Sequence, residues 1–190
     1  MAQGQTTEPT ELLDEELSRW TIENTSAGNF NVIDGVLEVR EPEGWLKSVE
    51  RYADFELTVE FRFMTDNADS GIFVRAAGAS EFARGWPNQS YQLQLRNPIG
   101  QSPFPPVGGL FRHGMANGET SYDEALARET SLPTGEWQTL VVRVEGDSLT
   151  ASLNGVEITT AAAIGNSPGY IGIQGETGTL QFRSLHLRPL

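Results

Sequence analysis

The stretch GWLKSVERYADFELTVEFRFMTDNADSGIFVR, residues 44–75, decides the fold class. Phe55, Leu57, Val59, Phe61 and Phe63 alternate with Glu56, Thr58, Glu60 and Arg62. A period of two puts successive side chains on opposite faces, so this is a strand with its apolar face on a core. A short polar loop, Thr65 to Asp69, leads into a second strand carrying Ser70, Gly71, Ile72, Phe73, Val74 and Arg75.

Outward from there the same grammar repeats. Asp34-Gly35 between FNVI and VLEVR, and Asn154-Gly155 between LTASL and VEITT, read as hairpin turns, the second of type I′. Residues Trp137 to Thr160 form a three-strand meander. YIGIQ and TLQFRSLHLRPL are strands joined by Gly175-Glu176-Thr177-Gly178. Ten to twelve strands, 20 Gly and 10 Pro in 190 residues predict an all-β chain: a two-sheet antiparallel β-sandwich. The expected organisation is a disordered N-terminal tail over 1–10 and a single sandwich domain over 11–190. Glu11–Leu17 is expected to make a helical turn, Tyr122–Glu129 one or two more. The long Pro/Gly-rich segment from Asn97 to Pro133 is expected to be an irregular, functional loop.

Composition excludes several classes. A net charge of −13 opposes binding to nucleic acid or to an anionic membrane surface. No apolar run is long enough to span a bilayer, so membrane insertion is not expected. Without Cys there is neither a disulfide framework nor a thiolate metal site. The opening MAQGQTTEPTE has no apolar h-region. The expectation is a periplasmic or secreted protein whose signal peptide has been removed.

No nucleophile elbow, phosphate loop or metalloprotease helix is present. What remains is rows of polar side chains that alternation places together: Glu60 with Arg62, Arg75 in line with Gly71 and Phe73, and Gln92, Gln94 and Arg96 in SYQLQLRN. Such rows can be no more than the wet face of an antiparallel sheet. Three of them beside a Gly/Pro-rich loop read better as a sugar groove, because planar amide and guanidinium groups hydrogen-bond hydroxyls in fixed geometry. Trp86 is expected to be exposed beside the ligand, whereas Trp20, Trp45 and Trp137 belong to the core or its edges. His113 is the histidine near this groove, and His186 is a surface strand residue. Asp66, Asn67 and Asp69 form an oxygen-rich turn that could hold calcium, although turn chemistry explains them as well. No cofactor and no metal site is otherwise expected.

The ordered succession GWLKSVERYADFELTVEFRF, SGIFVR, YQLQLRN, GGLFRHG, GEWQTLVVRVEG, LNGVEI and GYIGIQGETGTLQFRSLHL resembles the bacterial 3-keto-disaccharide hydrolase domain family, from about Leu12 to Leu190. The resemblance implies a concanavalin A-like jelly roll that cleaves 3-keto-glycosides by abstracting the carbon-2 proton with loss of the aglycone. By the same resemblance Glu60 and Arg62 match a strand motif, Ser70, Gly71 and Arg75 a second, Gln94 a third, and Gly109 the loop after it. The roles assigned with it are Glu60 or His113 as catalytic base, Arg62 or Arg75 on the keto oxygen or hydroxyls and Gln94 positioning the sugar, while the groove reading adds Trp86 and Gln92 as substrate-binding residues. Gln92 and Asn97 stand where the family often has Glu and Asp, and Asp69 where it often has Asn. The alternatives are a non-catalytic carbohydrate-binding module on the same fold, and an interaction domain whose acidic surface meets a basic partner.

Overall fold

The computed structural model describes residues 8–25, 27–78, 85–99, 102–165 and 167–190. Among the described residues, fifteen strands form two antiparallel sheets. The first sheet has nine strands and runs β10 (Thr120–Tyr122), β13 (Val156–Ala161), β12 (Ser148–Leu153), β11 (Gln138–Glu145), β6 (Phe55–Phe63), β15 (Thr179–Pro189), β4 (Val36–Arg40), β3 (Phe30–Ile33). Its ninth strand, β1 (Thr10–Glu11), pairs with β15. The second sheet has six and runs β2 (Trp20–Glu23), β5 (Gly44–Tyr52), β14 (Gly169–Gly175), β7 (Asp69–Ala76), β8 (Ser90–Arg96), β9 (Leu110–His113).

The period-2 reading of β6 holds residue by residue. Phe55, Leu57, Val59, Phe61 and Phe63 are buried between the sheets, and the residues between them are half-exposed. Burial of each such side chain stabilises the fold by roughly 1.5–3 kcal/mol. Ile72, Val74, Tyr91, Leu93, Leu95, Ile171 and Ile173 fill the same core from the six-stranded sheet. Both predicted hairpins form, and the left-handed φ values at Asp34 (52°), Gly35 (76°), Asn154 (49°) and Gly155 (84°) are those of type I′ turns.

Two local expectations change. Residues 11–17 make no helix: Thr10 and Glu11 pair with Leu187 and His186, and Leu12 inserts into the core. Of the expected tail, 1–7 lie outside the described residues. The segment from Asn97 to Pro133 is more ordered than a loop, for it contains β9, β10 and a helix, α1 (Glu124–Thr130). Asp123 caps that helix by accepting a hydrogen bond from the Leu126 backbone N–H.

The decisive feature for function is the step from β6 to β7. These strands follow one another in sequence but lie in opposite sheets. Their outward side chains therefore emerge on opposite sides of the sandwich, separated by a core about 10 Å thick.

Candidate functional site

Strand β7 is buried along its whole length, and β8 along all but Arg96. Burial on the side away from the core needs a second cover. Part of it is a small apolar cluster of Trp45, Phe73, Ala76 and Trp86, with Tyr170 packed against it. The Trp45 and Phe73 rings meet edge-on with centroids 5.7 Å apart. Gly172 makes room for Trp45, since a Cβ there would lie 2.5 Å from the indole ring.

Beside this cluster the same face carries polar side chains brought into register by strand pairing. Gly71 lies opposite Gln94, Phe73 opposite Gln92, and Gln92 opposite Phe111. Ser90 lies opposite His113. The result is a pocket of about 150 Å³ lined by Asp69, Trp86, Gln92, Gln94, Arg96, Phe104, Phe111, His113, Gln174 and Glu176. A polar trough of about 410 Å³ adjoins it, sharing Asp69, Arg96 and Glu176 and extending past Asp66 and Asn67.

The pocket floor is one connected hydrogen-bond network. His113 Nε2 lies 2.7 Å from Gln92 Oε1. Gln92 Nε2 donates to Gln94 Oε1 and to Gln174 Oε1, both at 2.8 Å. Gln94 Nε2 donates to Asp69 Oδ1 at 2.6 Å, and Arg96 donates to Asp69 Oδ2. Gln174 Nε2 donates to Glu176 Oε2 at 3.0 Å. The three glutamines are almost wholly buried, at 3%, 4% and 0% exposure, so these mutual bonds replace water.

The wall is aromatic. The His113 ring stacks on Phe111 (centroids 6.1 Å, planes 17° apart) and meets Phe73 edge-on at 6.2 Å. Phe104 stands against Phe111 at 6.3 Å and is 54% exposed at the rim. Gly108 and Gly109 hold this rim in place: Gln94 N–H donates to Gly109 O and Gly108 N–H to Gln94 O, both at 2.8 Å, while Gly109 packs on Pro105. Burial holds the His113 imidazole below the usual histidine pKa of 6.5, so it is neutral at pH 7.

The structure thus brings Gln92, Gln94, His113 and Trp86 to one pocket and leaves three of the other expected residues elsewhere. Glu60 lies on the outer face of the nine-stranded sheet, bonded to Arg183 and Ser184, and the Arg183 guanidinium holds its carboxyl below the usual range. Arg62 shares that face, donating to Gln181 and stacking over Trp137. Alternation groups both with the site because parity tells outward from inward but does not tell which sheet a strand joins. Arg75 fails for another reason. Its backbone is left-handed (φ 51°), which breaks the alternation. Its buried guanidinium ties three loops together, through Ala53 O and Asp54 Oδ1 (both 3.0 Å), Gly146 O (3.3 Å) and Ile164 O (3.5 Å). Trp86 lines the pocket but is only 7% exposed, being packed in the apolar cluster rather than standing free in solvent.

Sequence reasoning missed Gln174, Glu176, Phe104 and Phe111 as pocket residues. Gln174 carried a legible signal, because Ile171 and Ile173 point into the core and parity then sends Gly172 and Gln174 outward. The oxygen-rich turn is not gathered for calcium. Asp66 accepts from Thr134 Oγ1 at 2.8 Å, while Asp69 turns onto the sheet face to Gln94 and Arg96. Among the described residues no group of three or more His, Cys, Asp or Glu is arranged to hold a metal ion, and no helix is long and apolar enough to cross a membrane.

Comparison with known proteins agrees with this architecture. A putative glycosyl hydrolase from Parabacteroides distasonis superposes with a TM-score of 0.74 at 18% identity, covering 96% of this chain and 100% of that one. A second putative glycosyl hydrolase from the same organism gives 0.68 at 15% identity, covering 92% and 89%. The carbohydrate-binding module CBM66 from Bacillus subtilis gives 0.59 at 12% identity, covering 90% and 95%. No curated protein matches the chain in sequence. Residues 8–188, nearly the full length, match the family described as 3-keto-alpha-glucoside-1,2-lyase-like domain, and the chain belongs to that family.

Proposed function

We propose that the chain cleaves neutral 3-keto-glycosides in the pocket on the outer face of the six-stranded sheet, with His113 as the base. The observation that carries this reading is a half-buried imidazole, set against aromatic rings and bonded to an amide floor, that lines a cavity of about 150 Å³. Family membership supports the reaction class.

The chemistry needs a base, a group that polarises the ketone and a proton donor. A ketone at carbon 3 acidifies the carbon-2 proton, and His113 takes it. The carbon 1–oxygen bond then breaks, the electron pair leaves with the aglycone oxygen, and the imidazolium returns its proton to that oxygen. Water adds to carbon 1 of the resulting enone and restores the 3-keto sugar. Two opposed carboxylates, as in ordinary glycosidases, are not required. Among the described residues Arg96 is the cation that lines the pocket, and it is assigned the ketone or hydroxyl oxygens, in place of Arg62 and Arg75. Gln92 donates both amide hydrogens within the floor, so Gln94, with one amide hydrogen not used there, is assigned to the sugar hydroxyls. The net charge of −13 disfavours anionic sugars. The proposal includes export to the periplasm or the medium, which fractionation of the native host would test.

The direct test is release of aglycone from a 3-keto-glucoside, with and without a chelator. His113→Ala should abolish turnover in a protein that remains folded at 25 °C. The second reading is a carbohydrate-binding module, favoured by a floor of amides in place of carboxylates and by the likeness to CBM66. Binding of the glycan without product, equally in His113→Ala, would establish it.

A further inference from the structure

We propose that Glu176 and Asp69 act as fixed anionic ends of an amide relay that sets the tautomer of His113, leaving its basic lone pair on Nδ1; this rests on the reading of His113 as the base. Ionised carboxylates only accept hydrogen bonds. Asp69 therefore requires Gln94 to present its NH2, which turns Gln94 Oε1 toward Gln92. Glu176 imposes the same orientation on Gln174, whose Oε1 also faces Gln92. Two carbonyl oxygens then converge on the Gln92 NH2, and Gln92 Oε1 is left facing His113. A carbonyl oxygen opposite Nε2 requires Nε2–H. In the neutral ring the lone pair is consequently on Nδ1, and protonation takes place there.

Each orientation follows from the one before it, starting at the two charges. Flipping Gln92 alone would set its oxygen against two other carbonyl oxygens. Flipping Gln94 or Gln174 would set a carbonyl oxygen against a carboxylate. Gln174 and Glu176 are thus positioning residues: they act through Gln92 on the His113 ring. The expected bias is about ten-fold in favour of the Nε2–H form beyond that of a histidine in a short peptide, the equivalent of one hydrogen bond.

The chain has two histidines, so histidine labelled with nitrogen-15 gives two rings, and His186→Gln leaves His113 alone. Long-range proton–nitrogen spectra, recorded above the pH at which the ring titrates, should show Nε2 protonated and Nδ1 unprotonated. In Gln94→Leu/Gln174→Leu the ratio of tautomers should fall to that of the short peptide. The exchange Gln174→Glu/Glu176→Gln keeps an acceptor toward Gln92 and should retain the wild-type ratio. An Nδ1–H form in the wild type, or an unchanged ratio in the double leucine variant, would overturn the relay. The spectra need no substrate, so a wild type that turns over nothing would defeat the functional reading and leave this result standing. If turnover is found, the double leucine variant should lose it.

Discussion

Gly71→Ala tests the amide floor from beneath. A Cβ at residue 71 would lie 2.5 Å from Gln92 Nε2, 2.8 Å from Gln92 Cγ and 3.0 Å from Gln174 Oε1. The backbone is not the obstacle, for residue 71 is ordinary extended strand between Ile72 and Ser70. The obstacle is that the methyl group falls where Gln92 and Gln174 meet. Gln92 has little freedom to yield: it is 3% exposed and held by His113, Gln94 and Gln174. The Gln174 side chain is held by Glu176, and its backbone carbonyl accepts from Ser70 Oγ at 2.7 Å. Overpacking of this kind costs about 1–3 kcal/mol, and loss of the Gln92–Gln174 bond about 1 more.

At about 3 kcal/mol the melting temperature of a chain this size should fall by roughly 6–12 °C, with the protein still folded at 25 °C. Differential scanning calorimetry measures this directly. The Gly71→Ala/Gln92→Ala double variant removes the atoms that clash, so its loss should be smaller than the sum of the single losses by about 1 kcal/mol or more. A Gly71→Ala protein melting within about 2 °C of wild type, with ligand binding intact, would mean that the floor is not packed on this glycine. The amide network would then lose its physical basis.

Three further outcomes are expected. Glu60→Gln should leave turnover and ligand binding at wild-type levels, because the residue pairs with Arg183 on the other sheet; its stability should change by no more than about 1 kcal/mol in urea denaturation. Arg75→Met should cost about 2–4 kcal/mol by the same assay, since several loop carbonyls lose a buried donor, while activity per folded molecule persists. His113, whose pKa is pushed below 6.5 by burial, binds its proton more readily in the unfolded chain. Its contribution to stability should be complete above pH 6.5 and decline as pH falls toward the depressed folded value. The acid limb of activity should lie below 6.5 for the same reason, and His113→Gln should remove this part of the pH dependence of stability.

The fold was legible because the dominant force has a simple sequence signature. Alternation from Phe55 to Phe63, and the Asn154-Gly155 turn, report local geometry that the packed structure keeps. The short elements were less legible, and for physical reasons. Leu12, Leu13 and Leu17 suit a helical turn by spacing, but Thr10 and Glu11 gain partners on β15 and draw the segment out as an edge strand. In the Asn97–Pro133 segment, Pro and Gly masked the short strand β9, whose backbone partners on β8 are distant in sequence.

The site was half legible, and the division follows a difference in side-chain chemistry. Alternation marks Glu56, Thr58, Glu60 and Arg62 as outward, and it marks Gln92, Gln94 and Gln174 as outward too. The first row is charged, half-exposed and laced with ion pairs to Arg143, Arg183 and Arg188. That is how a sheet face meets water. The second row carries neutral amides and is interleaved across the sheet with Gly71, Gly172 and Phe73. Amides can satisfy one another without water, glycines let them approach the backbone, and a ring covers what is left. An outward row built in this way has no reason to be there unless something covers it. The contrast between charged rows and amide–glycine rows is visible in the sequence, and by itself it assigns Glu60 and Arg62 to solvent. What the sequence does not carry is that β14 lies beside β7, and it is this adjacency that brings Gln174 and Glu176 to the pocket.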